Sequence, residues 1–295
     1  MAILEKRRAL GFGACALASS LWGCGFFFGK IALAEMGFAH MVLYRFLFAI
    51  VILLPLLATH RPGLNRKEWG LLLVASFLGV PLQFLIQFYA LSITTVSHAS
   101  LMVGTMPVIL AVGAAVFAHE RMDWVGWAAL MALGGHAKSG ATLAGDALVV
   151  LSLMIALFWI LLNKQLMGRH SHIVVTAYGL ALGTAMLMIW VPVRYGFPPV
   201  HGVSVKAWLA LAGSGVLCTA TTTLLWNWGM TQVPASQAGV LLNMEPLIGS
   251  LLGVLVLGEK LGPSAWVGGG LILASAITLT TRSKTRVRED MVLAG

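Results

Sequence analysis

Charged residues are scarce in this sequence and apolar residues are abundant. Only 10% of the 295 residues are charged and 59% are hydrophobic, whereas soluble domains average about a quarter charged and roughly half apolar residues. A water-soluble fold could not bury so much apolar surface. Because an apolar helix of about 20 residues spans the hydrocarbon core of a bilayer, the composition predicts an all-α membrane protein with little room for a soluble domain.

The sequence also lacks the residue patterns of metal sites and of several enzyme classes. Its three cysteines, Cys15, Cys24 and Cys218, lie in apolar runs without paired or metal-ligand spacing, so we interpret them as small packing residues. It contains no H-E-x-x-H or G-x-S-x-G motif and no Gly-rich phosphate loop. We therefore predict a protein that is not an enzyme and that needs no cofactor or metal.

A net charge of +9 is compatible with nucleic-acid binding, but the basic residues form no continuous patch. They lie in short segments between apolar runs, as expected for a signal that sets membrane topology. Lys6, Arg7 and Arg8 precede a first apolar run that is too long for a signal peptide. As partners we expect a lipid bilayer and a small-molecule substrate, with no nucleic acid, and we expect a monomer.

Apolar runs separated by charged, glycine-containing or proline-containing breaks predict ten transmembrane helices. The first five are predicted near residues 10–34, 39–59, 69–91, 96–118 and 123–138. The second five are predicted near residues 145–167, 173–195, 206–230, 235–257 and 264–281. Residues 1–138 and 145–281 are thus predicted to form two five-helix units, and residues 282–295 a basic cytoplasmic tail.

Lysine and arginine near helix ends are retained on the cytoplasmic side of a membrane. With a cytoplasmic N-terminus, the inner segments hold most of these residues. They are Lys6, Arg7, Arg8, Arg61, Arg66, Lys67, Arg121, Lys164, Arg169, Arg282, Lys284, Arg286 and Arg288. The outer segments hold Lys138, Arg194, Lys206 and Lys260. This asymmetry predicts that both termini are cytoplasmic.

The two halves of the sequence are related at a spacing of 139 residues. This spacing pairs Trp69 with Trp208, Leu78 with Leu217, Ser97 with Ser236, Pro107 with Pro246, Glu120 with Glu259 and Trp127 with Trp266. A spacing of 134 pairs Lys30 with Lys164 and Tyr44 with Tyr178. Because five is an odd number, the second unit enters the bilayer from the opposite side. The pattern predicts a 5+5 inverted repeat, from which alternating-access carriers are commonly built.

At these residues the chain resembles the EamA-type permeases of the drug/metabolite transporter superfamily. The resemblance rests on Leu21-Trp22-Gly23, Lys30, Tyr44-Arg45-Phe46, Phe88-Tyr89-Ala90-Leu91 and, in each half, a Ser, a Pro, a Glu-basic pair and a Trp in the same order. It implies ten helices formed by duplication of a five-helix unit, in a secondary transporter of the cell (inner) membrane. Within the family, the aromatic-rich middle is most similar to the exporters of aromatic and hydrophobic amino acids.

One segment departs from the family pattern. After Trp22-Gly23 the usual small and polar residues are replaced by Cys24-Gly25-Phe26-Phe27-Phe28. No family contact is therefore carried over to this segment.

Polar and aromatic side chains inside the predicted helices are the candidates for substrate binding, since polar groups at membrane depth face the bundle interior by default. They are Gln83, Gln87, His98, Met102, Trp159, Asn163, Trp226, Asn227 and Asn243. Four-residue spacing places several of them on shared helix faces. Together they predict a central cavity with aromatic walls and a few hydrogen-bonding groups, suited to a small amphiphile such as an amino acid.

Each candidate also has a structural interpretation. The amides of Gln83 and Gln87 are equally compatible with interhelical packing, and His98 with a histidine that has only structural partners. Trp159 and Trp226 would alternatively belong to the aromatic belts at the membrane surface. Their positions well inside apolar runs favour the cavity.

The candidates for substrate anchoring or coupling are Arg45, Glu245, Tyr44 and Tyr178. Arg45 is interpreted either as an anchor for a substrate carboxylate or as a structural residue that pairs with Glu35 or reaches the interface. Glu245 is interpreted either as a proton carrier or as a protonated side chain that donates to the carbonyl freed by Pro246. The sequence does not separate these alternatives.

Proline residues inside the predicted helices are candidate hinges, namely Pro81, Pro107 and Pro246. Kinks supply bends about which two half-bundles rock, although a bent helix that only shapes the cavity is equally compatible.

We therefore predict an alternating-access exporter of small amphiphilic metabolites, above all amino acids. The alternatives are a broad drug/metabolite exporter of the same fold and a scaffold or receptor without transport, which does not explain an inverted duplication.

Overall fold

The computed structural model describes residues 2–106, 109, 140–233, 238, 241–260 and 270. In this part of the chain all regular secondary structure is helical. The α-helices are α1 (Ala2–Leu33), α2 (Phe38–Thr59), α3 (Arg66–Phe77), α4 (Gln83–Ser92), α5 (Val96–Val103), α6 (Gly140–Met167), α7 (His172–Tyr195), α8 (Val205–Gly215), α9 (Thr222–Gln232) and α10 (Met244–Leu255). Two π-helical segments, Leu78–Leu82 and Val216–Thr221, join α3 to α4 and α8 to α9.

Six helical stretches are long and apolar enough to cross a membrane. They are Lys6–Leu33, Phe38–Thr59, Arg66–Ser92, Leu143–Met167, His172–Tyr195 and Val205–Gln232. For the described residues, the predicted all-helical class is confirmed, and six candidate spans agree with a multi-pass membrane protein. The helices predicted near 123–138 and 264–281 lie outside the described residues except for residue 270, and those near 96–118 and 235–257 are described in part. The total of ten helices and the sidedness of the termini stay predictions.

Short polar side chains begin several of the helices. The Glu68 backbone N–H donates to the Asn65 side chain (3.0 Å), and the Asn65 backbone N–H donates to the Glu68 carboxylate (2.9 Å). This capping box satisfies N–H groups that have no partner within the first turn of α3. At the start of α8 the Ala207 N–H donates to the Ser204 hydroxyl (3.2 Å). The polar breaks between apolar runs thus fix where these helices begin.

Helical irregularities recur at corresponding positions of the two halves. The π-helical segments contain Leu78 and Leu217, which are paired by the spacing of 139 residues. A turn at Gly104–Thr105 follows α5, and a turn at Leu242–Asn243 precedes α10 at nearly the same spacing. Pro81 lies in the first π-helical segment and removes a backbone donor there. The candidate hinge Pro107 lies outside the described residues.

Glycines bring α1, α5 and α10 close together. α1 packs against α8, α9 and α10, and α5 packs against α10. A β-carbon at Gly23 would overlap the carbonyl oxygen of Glu245, and a β-carbon at Gly249 would overlap the Ser100 hydroxyl. This close packing holds the first turn of α10, which carries Glu245, against the middle of α1.

Candidate substrate cavity

A cavity lies among helices from both halves of the sequence. Its lining comes from α1, α2, α4 and α5, from α6, α7, α9 and α10, and from both π-helical segments. The polar side chains of the lining are few, and they are Arg45, Gln83, Gln87, Thr219, Thr223 and Glu245. The rest of the lining is aromatic, aliphatic or glycine. The cavity therefore offers an apolar surface with polar groups at fixed positions, as small-molecule sites do.

Arg45 of α2 is buried, with 2% of its surface exposed, and its guanidinium is held in a fixed orientation. Nε donates to the Thr219 hydroxyl (2.6 Å) and Nη2 donates to the Cys218 carbonyl oxygen (2.9 Å). The guanidinium carbon lies 4.9 Å from the Phe84 ring centre and 5.1 Å from the Phe88 ring centre, within cation–π range. Among the described residues, Nη1 has no hydrogen-bond partner.

The alternative in which Arg45 forms an ion pair with Glu35 is contradicted by the structure. Glu35 lies in the loop after α1, where its carboxylate accepts from the hydroxyl and the backbone N–H of Ser204, both at 2.6 Å. These hydrogen bonds hold the pKa of the Glu35 carboxyl below its ordinary value. No carboxylate in the described part of the chain lies within 4.0 Å of the Arg45 guanidinium.

Glu245 lines the cavity from the first turn of α10 and is 9% exposed. Pro246 is the third residue of this helix. A backbone N–H in the first turn has no intrahelical partner, so a proline removes no hydrogen bond there. α10 therefore begins at this point and is not the continuation of a longer helix. The Leu242 carbonyl, four residues before the proline, accepts from the backbone N–H of Glu245 (3.0 Å). The Glu245 carboxylate makes no hydrogen bond or ion pair with any described residue, and it interacts with Arg45 electrostatically.

Gln83 and Gln87 lie one turn apart on α4, and both line the cavity. They are 8% and 6% exposed. The Gln83 Oε1 atom is enclosed and has no hydrogen-bond partner within the described structure. A buried polar atom without a partner costs about 1–3 kcal/mol. A bound molecule that donates a hydrogen bond to this oxygen would therefore be stabilised.

The cavity lining contains six aromatic rings, and five of them form what we call the aromatic wall, namely Trp22, Phe26, Phe84, Phe88 and Trp159. The sixth ring, Phe46, packs edge-on against Phe84 with ring centres 4.9 Å apart. The rings of Phe84 and Phe88 are stacked with their centres 6.1 Å apart, and the centres of Phe26 and Phe88 are 6.3 Å apart. Trp159 of α6 packs on Gly79, where a β-carbon would overlap the indole. Aromatic rings in such pairs bind further apolar or aromatic groups. The aromatic wall suits a hydrophobic substrate side chain.

Two charged side chains hold the loop between α4 and α5, Lys30 from α1 and Glu259 from the segment that follows α10. Lys30 Nζ donates to the carbonyl oxygens of Leu91 (3.0 Å) and Thr94 (2.7 Å). The Glu259 carboxylate accepts from the backbone N–H of Val96 (2.9 Å). A cation thus lies at the C-terminus of α4 and an anion at the N-terminus of α5, as the helix dipoles favour.

Several predicted substrate contacts lie outside the cavity lining. Nδ1 of His98 lies 3.5 Å from a carboxylate oxygen of Asp146, and the Asn227 amide donates to the Thr176 hydroxyl (2.7 Å). Trp226 packs against Trp22 of the aromatic wall, with ring centres 5.3 Å apart. The other predicted residues outside the lining are Met102, Asn163, Asn243, Tyr44 and Tyr178. Substrate contact by these residues stays a prediction.

The two tyrosines paired by the repeat face backbone carbonyls. The Tyr44 hydroxyl donates to the Pro199 carbonyl (2.9 Å), and the Tyr178 hydroxyl donates to the Leu57 carbonyl (3.3 Å). Each tyrosine therefore ties its own helix to another segment. A direct role of either one in anchoring a substrate remains a prediction.

The candidates named from the sequence include only Trp159 of the aromatic wall. The other four rings carry a usable signal, because Trp22 and Phe26 are four residues apart on α1, and Phe84 and Phe88 are four apart on α4. Residues at this spacing share a helix face. The spacing that singles out the two glutamines of α4 applies equally to the phenylalanines that follow them.

The sequence is similar to those of proteins named as transporters, and the fold is similar to that of a solved crystal structure. A model of the EamA-like transporter family matches residues 9–135 and 143–281. An uncharacterized transporter of Archaeoglobus fulgidus is 27% identical over 279 residues, which cover 90% of this chain and 95% of that protein. A probable terminal-alkyne amino-acid exporter of Streptantibioticus cattleyicolor is 28% identical over 205 residues, 65% of this chain and 66% of that protein. One solved crystal structure shares the fold, with a TM-score of 0.68 at 17% identity over 94% of this chain and 98% of that one.

Proposed function

Because the chain belongs to the EamA-like transporter family, we propose that it exports small amphiphilic metabolites across the cell (inner) membrane, above all amino acids with aromatic or hydrophobic side chains. The observation that carries the proposal is the cavity, which combines the aromatic wall with Arg45 and Glu245. An amphiphile in this cavity would bury its apolar part against the rings and bind fixed groups with its polar end. Glu245 is the proposed proton carrier that couples export to a pH gradient.

Alternating access is supported by the origin of the cavity lining. Both matched regions contribute helices to it, and helical breaks lie at Gly104–Thr105 in one region and at Leu242–Asn243 in the other. In carriers built from inverted repeats, one unit rocks against the other around a site between them. We infer that the two regions are five-helix units of opposite orientation, and that Pro81, Pro107 and Pro246 lie near their bending points.

An amino-acid substrate is supported by the charged groups of the cavity and by the name of the Streptantibioticus cattleyicolor relative. A broad drug/metabolite exporter of the same fold is the second candidate, because an aromatic wall accepts many apolar groups. Uptake into proteoliposomes of a panel of labelled amino acids and uncharged aromatic compounds separates the two. The proposal predicts preference for amino acids, and equal transport of both classes would favour the broad exporter.

Trp159→Ala is expected to impair transport of aromatic amino acids more than transport of alanine. The substitution removes apolar contact worth about 1–2 kcal/mol, which is roughly tenfold in apparent affinity for a large side chain. Trp190→Ala is the matched control, since the Trp190 side chain is 55% exposed. Concentration-dependent uptake into proteoliposomes gives the affinities. Equal losses for large and small substrates would show that the substrate side chain does not contact Trp159.

Reporter fusions test the inferred sidedness of the chain. A reporter after Arg66 and one after Arg288 are expected to report the cytoplasm, because the basic segments are retained there. A reporter in the loop between α7 and α8 is expected to report the opposite side. A C-terminus outside the cell would require an odd number of spans and would contradict two equal five-helix units.

A further inference from the structure

Resting on the proposed function, we propose that the cavity recognises its substrate as a zwitterion. Arg45 binds the substrate carboxylate, and Glu245 together with the Gln83 carbonyl oxygen binds the substrate ammonium group. The substrate class is then the free α-amino acids. Amines without a carboxylate and carboxylic acids without an amine are poor ligands of the same cavity.

The two charges of the cavity are opposite and separate. Arg45 enters the lining from α2 and Glu245 from α10, and they are not within the 4.0 Å of a direct ion pair, although each acts on the other electrostatically. A buried charge without a close partner is strongly unfavourable. A ligand that carries both charges a short distance apart, placed between the two side chains, would give each a partner.

The Arg45 end of the cavity is arranged for a carboxylate. Thr219 and the Cys218 carbonyl hold Nε and Nη2, and Phe84 and Phe88 contact the guanidinium. Nη1 remains available within the described structure. Because the guanidinium is already oriented, it loses little conformational freedom when it binds a carboxylate, and such charge-assisted hydrogen bonds are among the stronger ones in proteins.

The Glu245 end offers hydrogen-bond acceptors. The Glu245 carboxylate has no hydrogen-bond partner among the described residues, and Gln83 Oε1 is buried without a donor. An ammonium group has three N–H donors and no acceptor, so it can serve both oxygens. If the substrate bound in the reversed orientation, its carboxylate would lie beside the Glu245 carboxylate and the Gln83 carbonyl oxygen. The like charge and the missing donor disfavour that orientation.

The overall charge of the site also selects a zwitterion. A simple amine would be attracted by Glu245 and repelled by Arg45, and a simple carboxylate would experience the reverse. These opposing interactions are strong where water is excluded, because the effective dielectric constant is low. A zwitterion gains both attractions. Its side chain would contact the aromatic wall and the neighbouring aliphatic residues Val103, Met106 and Leu153.

Inhibition of labelled L-phenylalanine exchange in proteoliposomes tests the proposal with the wild-type protein. The competitors are unlabelled L-phenylalanine, 2-phenylethylamine, which keeps the ring and the ammonium group, and 3-phenylpropanoate, which keeps the ring and the carboxylate. We expect each analogue to need a concentration about tenfold or more above that of phenylalanine for half-inhibition. Inhibition by either analogue within about twofold of phenylalanine would overturn the zwitterion proposal while the exchange itself still supported the transporter.

Two substitutions test which residue binds which charge. With Arg45→Met, phenylalanine and 2-phenylethylamine are expected to half-inhibit exchange at similar concentrations. 3-Phenylpropanoate is still expected to need a higher concentration than phenylalanine. With Glu245→Gln, phenylalanine and 3-phenylpropanoate are expected to half-inhibit at similar concentrations, whereas 2-phenylethylamine is still expected to need a higher concentration than phenylalanine. Arg194→Met and Glu35→Gln are matched controls outside the cavity lining and are expected to keep both differences. Because each result is a ratio measured within one variant, it does not depend on the amount of folded protein.

The outcomes separate this proposal from the proposed function. A wild-type protein that exchanges no amino acid would overturn both. Suppose instead that the wild-type protein exchanges phenylalanine, and that Arg45→Met leaves the half-inhibitory concentration of each analogue, relative to phenylalanine, as in the wild type. That result would overturn only the assignment of Arg45 to the substrate carboxylate. Should Arg45→Met fail to fold, the wild-type comparison and Glu245→Gln still decide the question.

Discussion

Glu245→Gln is expected to abolish the acceleration of phenylalanine efflux by an imposed pH gradient, while exchange at saturating phenylalanine continues. Within the described residues, Glu245 is the only acidic side chain of the cavity lining. A proton-coupled cycle needs a group that gains and loses a proton as the cavity faces each side. Glutamine keeps the size and hydrogen bonding of the side chain but cannot titrate. Initial efflux rates from proteoliposomes, with and without the gradient, measure the effect.

Glu35→Gln is the matched control for this experiment, since Glu35 lies in the loop after α1 and contacts Ser204. It is expected to respond to the gradient as the wild type does. A normal response of Glu245→Gln would exclude Glu245 as the proton carrier. A wild-type protein without any response would contradict proton coupling and leave the substrate's own gradient as the driving force.

Gly23→Val is expected to destabilise the folded protein and to lower transport by about an order of magnitude or more. A β-carbon at Gly23 would overlap the carbonyl oxygen of Glu245, so a valine has to push α10 away from α1. Overpacking a close contact typically costs about 1–3 kcal/mol, and here the displaced helix carries a proposed substrate-binding carboxylate. Thermal unfolding in detergent and uptake into proteoliposomes measure the two effects.

Gly13→Val controls for the change of residue type. Gly13 lies on the same helix, and a β-carbon there would meet no atom within 4 Å. Both substitutions replace a helical glycine by the same β-branched residue, so propensity effects are similar. We expect Gly13→Val to unfold near the wild-type temperature. Equal behaviour of the two variants would contradict the close packing of α1 on α10.

The class of the fold could be predicted from the sequence because the bilayer restricts the choices. A chain with 59% hydrophobic and 10% charged residues has to cross the membrane as helices, which satisfy their own backbone groups. The apolar runs therefore locate α2 and α7 to within a residue or two. The turn at Leu242–Asn243 could not be placed in this way, because apolar residues continue on both sides of it.

The cavity could be predicted only where the signal lies within one helix. Gln83 and Gln87 are recognisable from their spacing, and Glu245 from a carboxyl in an apolar run. The partners of Arg45 could not be predicted, since Thr219 is 174 residues away in the sequence and reaches Arg45 only through the packing of α2 on the second π-helical segment. Spacing along a helix likewise does not reveal that Asn227 meets Thr176 of α7.

Exchange of L-phenylalanine by the purified wild-type protein in proteoliposomes tests the central claim most directly. Vesicles are loaded with unlabelled phenylalanine, diluted into labelled phenylalanine, and compared with vesicles loaded with buffer alone and with vesicles without protein. We predict that internal phenylalanine accelerates uptake of the label, because a carrier with alternating access returns faster when its cavity is occupied. Folded protein that shows no uptake above protein-free vesicles, for phenylalanine and for every other amino acid of the panel, would contradict an amino-acid transporter.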